Sequence, residues 1–205
     1  MIPRFKPVTA VLVTVCIVVY LLSLTGLQET IYRALLITQY IRPPLAEVRD
    51  GELWRLITPV LLHFGLFHIL FNMLWTWELG RIIEWRHGAL SLIGLTVVIG
   101  MVSNLVQYRD SGPLFGGMSG VIYGYFGFVW IQSLINKRFG LVLNRTVVLL
   151  LLGWFALCWT GIIERLFGIG VANAAHTAGL LSGIVIAFAV NAIHLLAGWA
   201  GRRFS

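Results

Sequence analysis

Long uncharged stretches separated by short charged connections dominate the pattern of hydrophobic and polar positions along this chain. A helix needs roughly 18 or more such residues to cross the apolar core of a bilayer. The pattern therefore predicts an all-α polytopic membrane protein with six transmembrane helices. The first stretch lacks a small-residue cleavage site, so we interpret it as a membrane span and not as a signal peptide. The six stretches are residues 8–26, 56–77, 87–108, 111–136, 146–163 and 166–201.

The connections between these stretches are short, except for residues 27–55. A loop of that length without structure is uncommon, so we expect short helices there, lying at the membrane interface with Trp54 at headgroup depth. The last stretch is longer than one crossing requires, and its first residues are expected to form a loop. With no internal repeat, residues 1–205 are expected to form one six-helix membrane domain with no separate soluble domain.

Composition and charge add an orientation. Hydrophobic residues make up 59% of the chain and charged residues only 11%, against about 25% charged in soluble domains. With six crossings both termini share one side, and that side carries the whole formal charge of +7. The positive-inside rule places it in the cytoplasm, so the basic character reflects topology and nucleic acid is not an expected partner. The basic residues of that side are Arg4, Lys6, Arg81, Arg86, Lys137, Arg138, Arg145, Arg202 and Arg203.

The fourth stretch opens with glycines and a proline, which disfavour a helix. The helix is expected to begin near Gly117, so the preceding loop would dip into the membrane from the outer side. Non-helical backbone at that depth must be buried in protein or line a wet cavity. Ser119 would then lie in the first helical turn, where free backbone N–H groups and the helix dipole can receive a developing oxyanion.

A serine hydroxyl needs a base to act as a nucleophile, and His176 in the sixth stretch is the candidate. Small residues four apart let two helices approach closely, and packing of two such faces would bring His176 toward Ser119. No acidic residue lies in either stretch, which favours a Ser–His dyad, with Tyr123 packing on the imidazole in place of a carboxylate. The small faces are Gly116, Gly120 and Gly124 on one helix and Gly179 and Gly183 on the other.

Other interpretations of the same residues remain open. The glycine pattern alone is typical of helix packing, and His176 alone could be a core histidine bonded to a carbonyl. His63, His68 and Asn72 in the second stretch, the last two on one helical face, could suggest a metal. Their spacing differs from His-Glu-x-x-His, and no carboxylate accompanies them, so no metal or cofactor is expected. A transporter would more often carry charges at the midplane, which the fourth and sixth stretches lack.

Taken together, these segments resemble the rhomboid intramembrane serine proteases, especially the compact six-span bacterial GlpG type. The resemblance covers most of the chain, and five motifs occur in the family's order on the corresponding stretches. They are Trp54-Arg55, His63-x4-His68-x3-Asn72, Gly80-x3-Glu84-x3-Gly88, Gly117-Met118-Ser119-Gly120 and Ala175-His176-x2-Gly179-x3-Gly183.

The resemblance implies a serine endopeptidase of the bacterial inner membrane, in contact with lipids. It would hydrolyse peptide bonds in or near the outer end of transmembrane segments of other membrane proteins. Ser119 would be the nucleophile and His176 the general base, with Tyr123 packed against the base. His68 and Asn72 would donate hydrogen bonds to the oxyanion, together with the backbone N–H of Ser119.

The remaining motifs imply structural roles. Trp54 and Arg55 would anchor the first outer loop, and Glu84 would bond backbone at the inner end of its helix. Some relatives carry a soluble N-terminal domain, which is not expected here because only seven residues precede the first span. The alternative function is a catalytically inactive rhomboid-like adaptor that binds transmembrane helices. Such an adaptor would be expected to lack the serine or the histidine, and this sequence has both.

Overall fold

The computed structural model describes residues 6–40, 44–136, 139–167 and 170–203, without the side chains of residue 167 and residues 194–203. All regular secondary structure in these residues is helical, which confirms the predicted all-α class. Two 3-10 turns, Leu53–Leu56 and Thr58–Leu61, precede the fourth α-helix. The α-helices are α1 (Pro7–Ser23), α2 (Gln28–Leu35), α3 (Ala46–Arg49), α4 (Leu66–His87), α5 (Ala89–Ser111), α6 (Ser119–Ile135), α7 (Arg145–Trp159), α8 (Ile162–Phe167) and α9 (Asn173–Arg203).

The predicted bounds of the second stretch, residues 56–77, are wrong. Its first part forms the 3-10 turns and a non-helical segment at residues 62–65, and α4 begins only at Leu66. The helix then continues ten residues beyond the predicted end, through four charged positions, to His87. Its charged end is accommodated because Glu84 bonds another helix there. The run of uncharged residues therefore predicted neither the start nor the end of this helix correctly.

The later stretches agree better with the structure. The helix of the fourth stretch, α6, begins at Ser119, two residues after the predicted start near Gly117. The helix of the fifth stretch, α7, ends at Trp159 and is followed by the separate short helix α8. The last long helix begins at Asn173 after a non-helical segment, residues 170–172, which agrees with the loop expected at the opening of the sixth stretch. The first two residues of that stretch, 166 and 167, are helical instead and end α8, and residues 168–169 lie outside the described part of the chain.

Helix α6 forms the centre of the bundle and packs most extensively against α9, with α4 and α5 on its other sides. It is apolar around most of its circumference, as a helix buried on all sides must be. Tyr125 and Phe126 are completely buried, and the Tyr125 hydroxyl shares a short hydrogen bond with Thr96 of α5. Further along, the Gln132 carboxamide donates to the Ala187 carbonyl of α9, at 3.0 Å.

The segment between α1 and α4 contains short helices, as predicted, and Arg55 is the residue that organises it. This guanidinium is buried, and its Nη1 donates to the carbonyls of Arg33 and Leu36 at 2.8 and 2.9 Å. Its Nε donates to Glu52 at 2.6 Å. Trp54 beside it is 54% exposed, so the arginine holds the loop together while the indole faces outward.

Glu47 is a second buried anchor of this segment. Its carboxylate accepts hydrogen bonds from the Thr38 hydroxyl at 2.5 Å and from the Gln39 N–H at 2.7 Å. Burial by itself would raise the pKa of Glu47, but the bonds from Thr38 and Gln39 and the charge of Arg55 outweigh it, so the pKa lies below its usual value. Ionised Glu47 therefore stabilises the loop.

Glu84 joins α4 to the start of α1. Its carboxylate accepts from the backbone N–H groups of Val8 and Thr9, at 3.1 and 2.9 Å, and from the Thr9 hydroxyl at 2.7 Å. These N–H groups belong to the first turn of α1, which has no intrahelical acceptors. A Cβ atom on Gly80, one turn earlier, would lie 3.2 Å from Thr9 Cγ2, so this glycine leaves room for α1. Glu84 thus bonds backbone at the end of α4, as the family resemblance implied.

Two described helical segments are long and apolar enough to cross a membrane, Ala89–Ser111 and Asn173–Ile193. Three more apolar helices are shorter, Pro7–Ser23, Ser119–Ile135 and Arg145–Trp159. Length and composition alone therefore identify two of the six predicted crossings. Several of the basic residues expected on the cytoplasmic side lie outside the described part of the chain, namely Arg4, Lys137, Arg138 and the side chains of Arg202 and Arg203.

Candidate active site

The loop before α6 is held tightly against the 3-10 segment, and two glycines make that possible. Gly117 has φ +113°, a conformation that favours glycine, and its N–H donates to the Pro59 carbonyl at 3.0 Å. A Cβ atom on Gly117 would lie 2.7 Å from His68 Nε2, and one on Gly116 would lie 2.7 Å from Leu62 Cβ. The expectation that Gly116 lets the fourth helix approach a neighbouring helix is wrong, because Gly116 lies in the loop before α6.

Ser119 is the first residue of α6 and is partly accessible. The backbone N–H groups of a helix's first turn have no intrahelical acceptors, and the dipole's positive end lies there. A negative charge that develops beside Ser119 would therefore meet unpaired donors. The predicted position of this serine at the start of its helix agrees with the structure.

His176 lies in the first turn of α9, and its Nε2 is 2.8 Å from the Ser119 hydroxyl oxygen. The imidazole is buried, and its Nδ1 has no hydrogen-bond partner among the described residues. Nε2 can accept the serine proton only in the tautomer that carries hydrogen on Nδ1. No carboxylate contacts this nitrogen in the described part of the chain, so the pair is a dyad in geometry.

Tyr123 lies one turn after Ser119 and packs on the imidazole, with ring centroids 4.8 Å apart and planes inclined by 41°. Its hydroxyl donates to the Leu151 carbonyl of α7 at 3.3 Å. Phe155 of α7 also packs against the phenol ring in a T-shaped arrangement, at 5.3 Å between centroids. The tyrosine is thus fixed by α7 and limits the rotation of His176.

Close packing of α6 on α9 brings the dyad together. A Cβ atom on Gly179 would overlap the Gly120 carbonyl, and one on Gly183 would overlap the Gly124 carbonyl. On the opposite side of the crossing, a Cβ on Gly120 would lie 3.3 Å from the Ala175 carbonyl. The two helices pass with their backbones in contact, as the small faces predicted, and only glycine permits that separation.

His68 faces the loop that precedes Ser119. Its Nδ1 accepts from the Phe64 N–H at 3.3 Å, so in the neutral ring the hydrogen is on Nε2, the atom that faces Gly117. Asn72 lies one turn later and donates its Nδ2 to the His68 carbonyl at 2.8 Å, while its buried Oδ1 has no partner among the described residues. In this structure, one Asn72 hydrogen is therefore engaged within its own helix.

Two polar residues near the dyad were missed or undervalued from sequence. His63 precedes α4, so the expectation that it lies on the same helix as His68 is wrong. Its Nδ1 bonds the Leu61 carbonyl at 3.2 Å, and its Nε2 is 3.5 Å from the Met118 N–H. Gln107 of α5 is buried, and its Oε1 accepts from the Ala175 N–H at 2.9 Å, one residue before His176. No motif containing Gln107 could have found it.

A sequence model of the Rhomboid domain matches residues 50–193. The chain belongs to the rhomboid family. It is 39% identical over 186 residues to the proteins named Rhomboid protease GlpG from Salmonella paratyphi A and from Salmonella typhi. Each alignment covers 90% of this chain and 63% of the relative, so the chain spans less than two thirds of the length of these rhomboid relatives. The matched region contains every candidate site residue.

Proposed function

We propose that this rhomboid is an intramembrane serine endopeptidase that cleaves within or near the outer ends of transmembrane segments of other membrane proteins. The observation that carries the proposal is the contact of 2.8 Å between the Ser119 hydroxyl and His176 Nε2. A serine so placed can lose its proton to the imidazole as it attacks. Nothing in the site favours an inactive adaptor, because both reacting groups are present and in contact.

The proposed reaction proceeds in two stages. Ser119 Oγ attacks the scissile carbonyl carbon as its proton passes to His176 Nε2, which then gives the proton to the departing amine. A water then attacks the acyl-enzyme as it gives a proton to the same nitrogen. The imidazolium returns that proton to Ser119 Oγ as the ester bond breaks, which releases the carboxylic acid product and restores both residues. In both stages, the oxyanion would accept from the Ser119 N–H and from His68 Nε2–H, with the Asn72 carboxamide as a third donor.

The base works without a carboxylate because other contacts orient it. In a triad the acid fixes the tautomer and ring orientation of the histidine. Here the ring of Tyr123 lies against the imidazole, and burial excludes water that could otherwise compete for Nδ1. The imidazolium formed in the first stage is transient and is paired with the oxyanion beside it. We therefore assign Tyr123 an orienting role.

The membrane placement is supported by the surface of the bundle. Phe67, Leu90 and Val142 are more than 75% exposed, and further exposed apolar side chains follow the outer faces of the helices. Apolar patches of this extent are rare on soluble monomers. We assign six crossings to α1, α4, α5, α6, α7 and α9, in a single domain of the bacterial inner membrane. Both termini would be cytoplasmic, and the site would open to the periplasmic side.

The decisive experiment for activity uses purified protein in detergent or proteoliposomes with a reporter that contains a single transmembrane segment. We expect cleavage at one or a few peptide bonds in or near that segment, and no cleavage by Ser119→Ala. The matched control is Ser182→Ala, because Ser182 lies on α9 and bonds only its own helix, at the Ala178 carbonyl. Equal cleavage by wild type and Ser119→Ala would refute the proposal.

Orientation has a separate test with an impermeant thiol reagent. Asp50→Cys, at an exposed position after α3, is expected to react when the reagent is added to the periplasmic side of intact cells. Val142→Cys, 82% exposed before α7, is expected to react only after the membrane is opened. Cys16 and Cys158 are buried and are expected to stay unlabelled while the protein is folded. The reverse pattern of labelling would invert the topology.

A further inference from the structure

A groove of about 610 Å³ lies between α5 and α9, far along the bundle from the dyad. One end of it is polar and is formed where α4 turns into α5, by Arg86, His87 and Ser91. The rest is apolar, with Val98 of α5 on one wall and Ile186 and Val190 of α9 on the other. The groove therefore combines a cationic end with an apolar channel that runs along two helices.

Arg86 supplies the positive charge at the polar end of the groove. Among the described residues, no carboxylate lies within ion-pair distance of Arg86. Its Nη2 donates to the Gly140 carbonyl at 3.0 Å, and its Nε is buried without a hydrogen-bond partner in the part of the chain that the structure describes, so an anion would meet the outer, Nη side of the guanidinium. The guanidinium carbon lies 3.8 Å from the centre of the Trp85 ring. Stacking on an aromatic face leaves the edge of an arginine available for an anion.

We propose that this groove binds one anionic phospholipid, whose phosphate meets Arg86 and whose acyl chain lies between α5 and α9. The inference rests on the membrane placement proposed above, because it sets this end of the bundle at the cytoplasmic headgroup region. Arginine beside tryptophan is typical of that depth. A phosphate pairs with a guanidinium through charge-assisted hydrogen bonds, and the apolar walls match a hydrocarbon chain.

The apolar part of the groove distinguishes a lipid from a small soluble anion. An inorganic phosphate or glycerol phosphate could use only the polar end and would leave the channel between α5 and α9 uncovered. Leu95 and Phe128, which line the channel from within, are buried, whereas Val98 at its rim is 49% exposed. An acyl chain would cover that rim. The occupant that uses the whole groove therefore carries both a phosphate and a chain.

Gly94 offers a way to fill the groove without disturbing the fold. It lies inside α5 and lines the channel, and a Cβ atom built on it meets nothing within 4 Å. A leucine there would occupy the space of the acyl chain, and leucine is a better helix former than glycine. Arg86→Gln removes the charge instead. Arg81→Gln is its matched control, because Arg81 is on the same helix, pairs with Glu78 at 2.5 Å and does not line the groove.

The test measures lipid retention by native mass spectrometry, on protein purified in detergent and titrated with phosphatidylglycerol or phosphatidylcholine. All proteins carry Ser119→Ala, so the result does not depend on cleavage. We expect one phosphatidylglycerol to be retained in preference to phosphatidylcholine. Arg86→Gln is expected to weaken its retention roughly five- to tenfold, and Arg81→Gln to leave it unchanged. Gly94→Leu is expected to abolish retention while the thermal midpoint is kept, and added glycerol phosphate is expected not to displace the lipid.

Several results would overturn the proposal. The lipid site would be refuted if the two lipids were retained equally, or if Arg86→Gln and Arg81→Gln lost retention equally. It would also be refuted if glycerol phosphate displaced the lipid, or if folded Gly94→Leu retained it undiminished. If Arg86→Gln fails to fold, lipid retention by Gly94→Leu still shows whether the groove binds the lipid. If the reporter were not cleaved, the proposed protease activity would be refuted, but retention of phosphatidylglycerol would still support the lipid site. Conversely, an active protease that retains no phosphatidylglycerol would refute the lipid site alone.

Discussion

Replacing Gly179 with alanine tests whether the α6–α9 crossing creates the active site. The added methyl group would overlap the Gly120 carbonyl oxygen. That oxygen belongs to the backbone of a central helix and cannot rotate away as a side chain could, so one helix must move. Overpacking of a core typically costs about 1–3 kcal/mol, and a clash with backbone belongs at the upper end of that range.

The same movement should reduce activity beyond the loss of folded protein. Gly179 is three residues from His176, so a shift of α9 there carries the imidazole with it. A misplacement of about 1 Å in a reacting group can cost roughly a hundredfold in rate. We expect Gly179→Ala to lower the thermal midpoint and also to lower cleavage per folded molecule by one to two orders of magnitude.

The assay pairs thermal unfolding in detergent with initial rates of reporter cleavage on the same preparation. Gly153→Ala is the matched control, because Gly153 lies within α7 and a Cβ on it meets nothing within 4 Å. Alanine there is expected to be neutral or to stabilise by up to about 1 kcal/mol through helix propensity. If Gly179→Ala behaves like Gly153→Ala in both measurements, glycine is not what sets the distance between Ser119 and His176.

Three further predictions concern the site and its supporting loop. Ser119→Ala and His176→Ala should each abolish cleavage, and the double variant should be no worse than either, because groups that act as a unit are not additive; additive losses would refute the dyad. Asn72→Ala should lower kcat by roughly a hundred- to a thousandfold with little change in KM if Asn72 binds the oxyanion, whereas full activity per folded molecule would exclude it. Glu47 has a folded-state pKa below its usual value of 4.5, so its stabilising effect should be complete above that pH and be lost as the pH falls through the folded-state value. Glu47→Gln should therefore flatten the acid limb of thermal stability, and an unchanged limb would contradict this.

The parts of the fold that sequence predicted well are those fixed by local chemistry. The Gly-Pro opening of the fourth stretch indicated a break before a helix, and the structure starts that helix at Ser119. The glycine faces predicted a close crossing, because spacing by four places small residues on one side of any helix. Pairing of Ser119 with His176 followed from that crossing. Here the periodicity of the sequence carried three-dimensional information.

The second stretch was placed wrongly because lack of charge says nothing about backbone conformation. Residues 56–62 are mostly apolar because they pack against α5 and the loop before α6, not because they span a bilayer as a helix. Val60 and Leu62 are buried in that packing, and the Leu56 carbonyl accepts from Asn104 of α5 at 2.9 Å. The charged end of α4 was left out of the predicted stretch because charged residues were taken to mark the end of a membrane helix. Its acid Glu84 has its partners in α1, and such long-range contacts leave no periodic signal.

The geometry of the site also depends on the direction of two helices. Helices α6 and α9 run parallel, because Gly120 contacts the region of Gly179 and Gly124, further along, contacts that of Gly183. Parallel packing brings both N-termini to one end of the bundle, and Ser119 and His176 each lie in a first turn. Two positive dipole ends therefore converge on the dyad. They favour the negative oxyanion and oppose a lasting positive charge on the imidazole.

In the proposed mechanism, that electrostatic arrangement would let a buried base work without an acid. A permanent carboxylate beside Nδ1 would stabilise the imidazolium, but it would also oppose the negative charge that forms on the substrate nearby. The helix termini would supply donors to the oxyanion and add no net charge. Gln107, a neutral residue, takes the Ala175 N–H and so fixes the first turn of α9 next to His176. With a neutral cap and a neutral aromatic support, the proposed reaction would balance the oxyanion against the transient imidazolium, and no acidic side chain among the described residues contacts the pair.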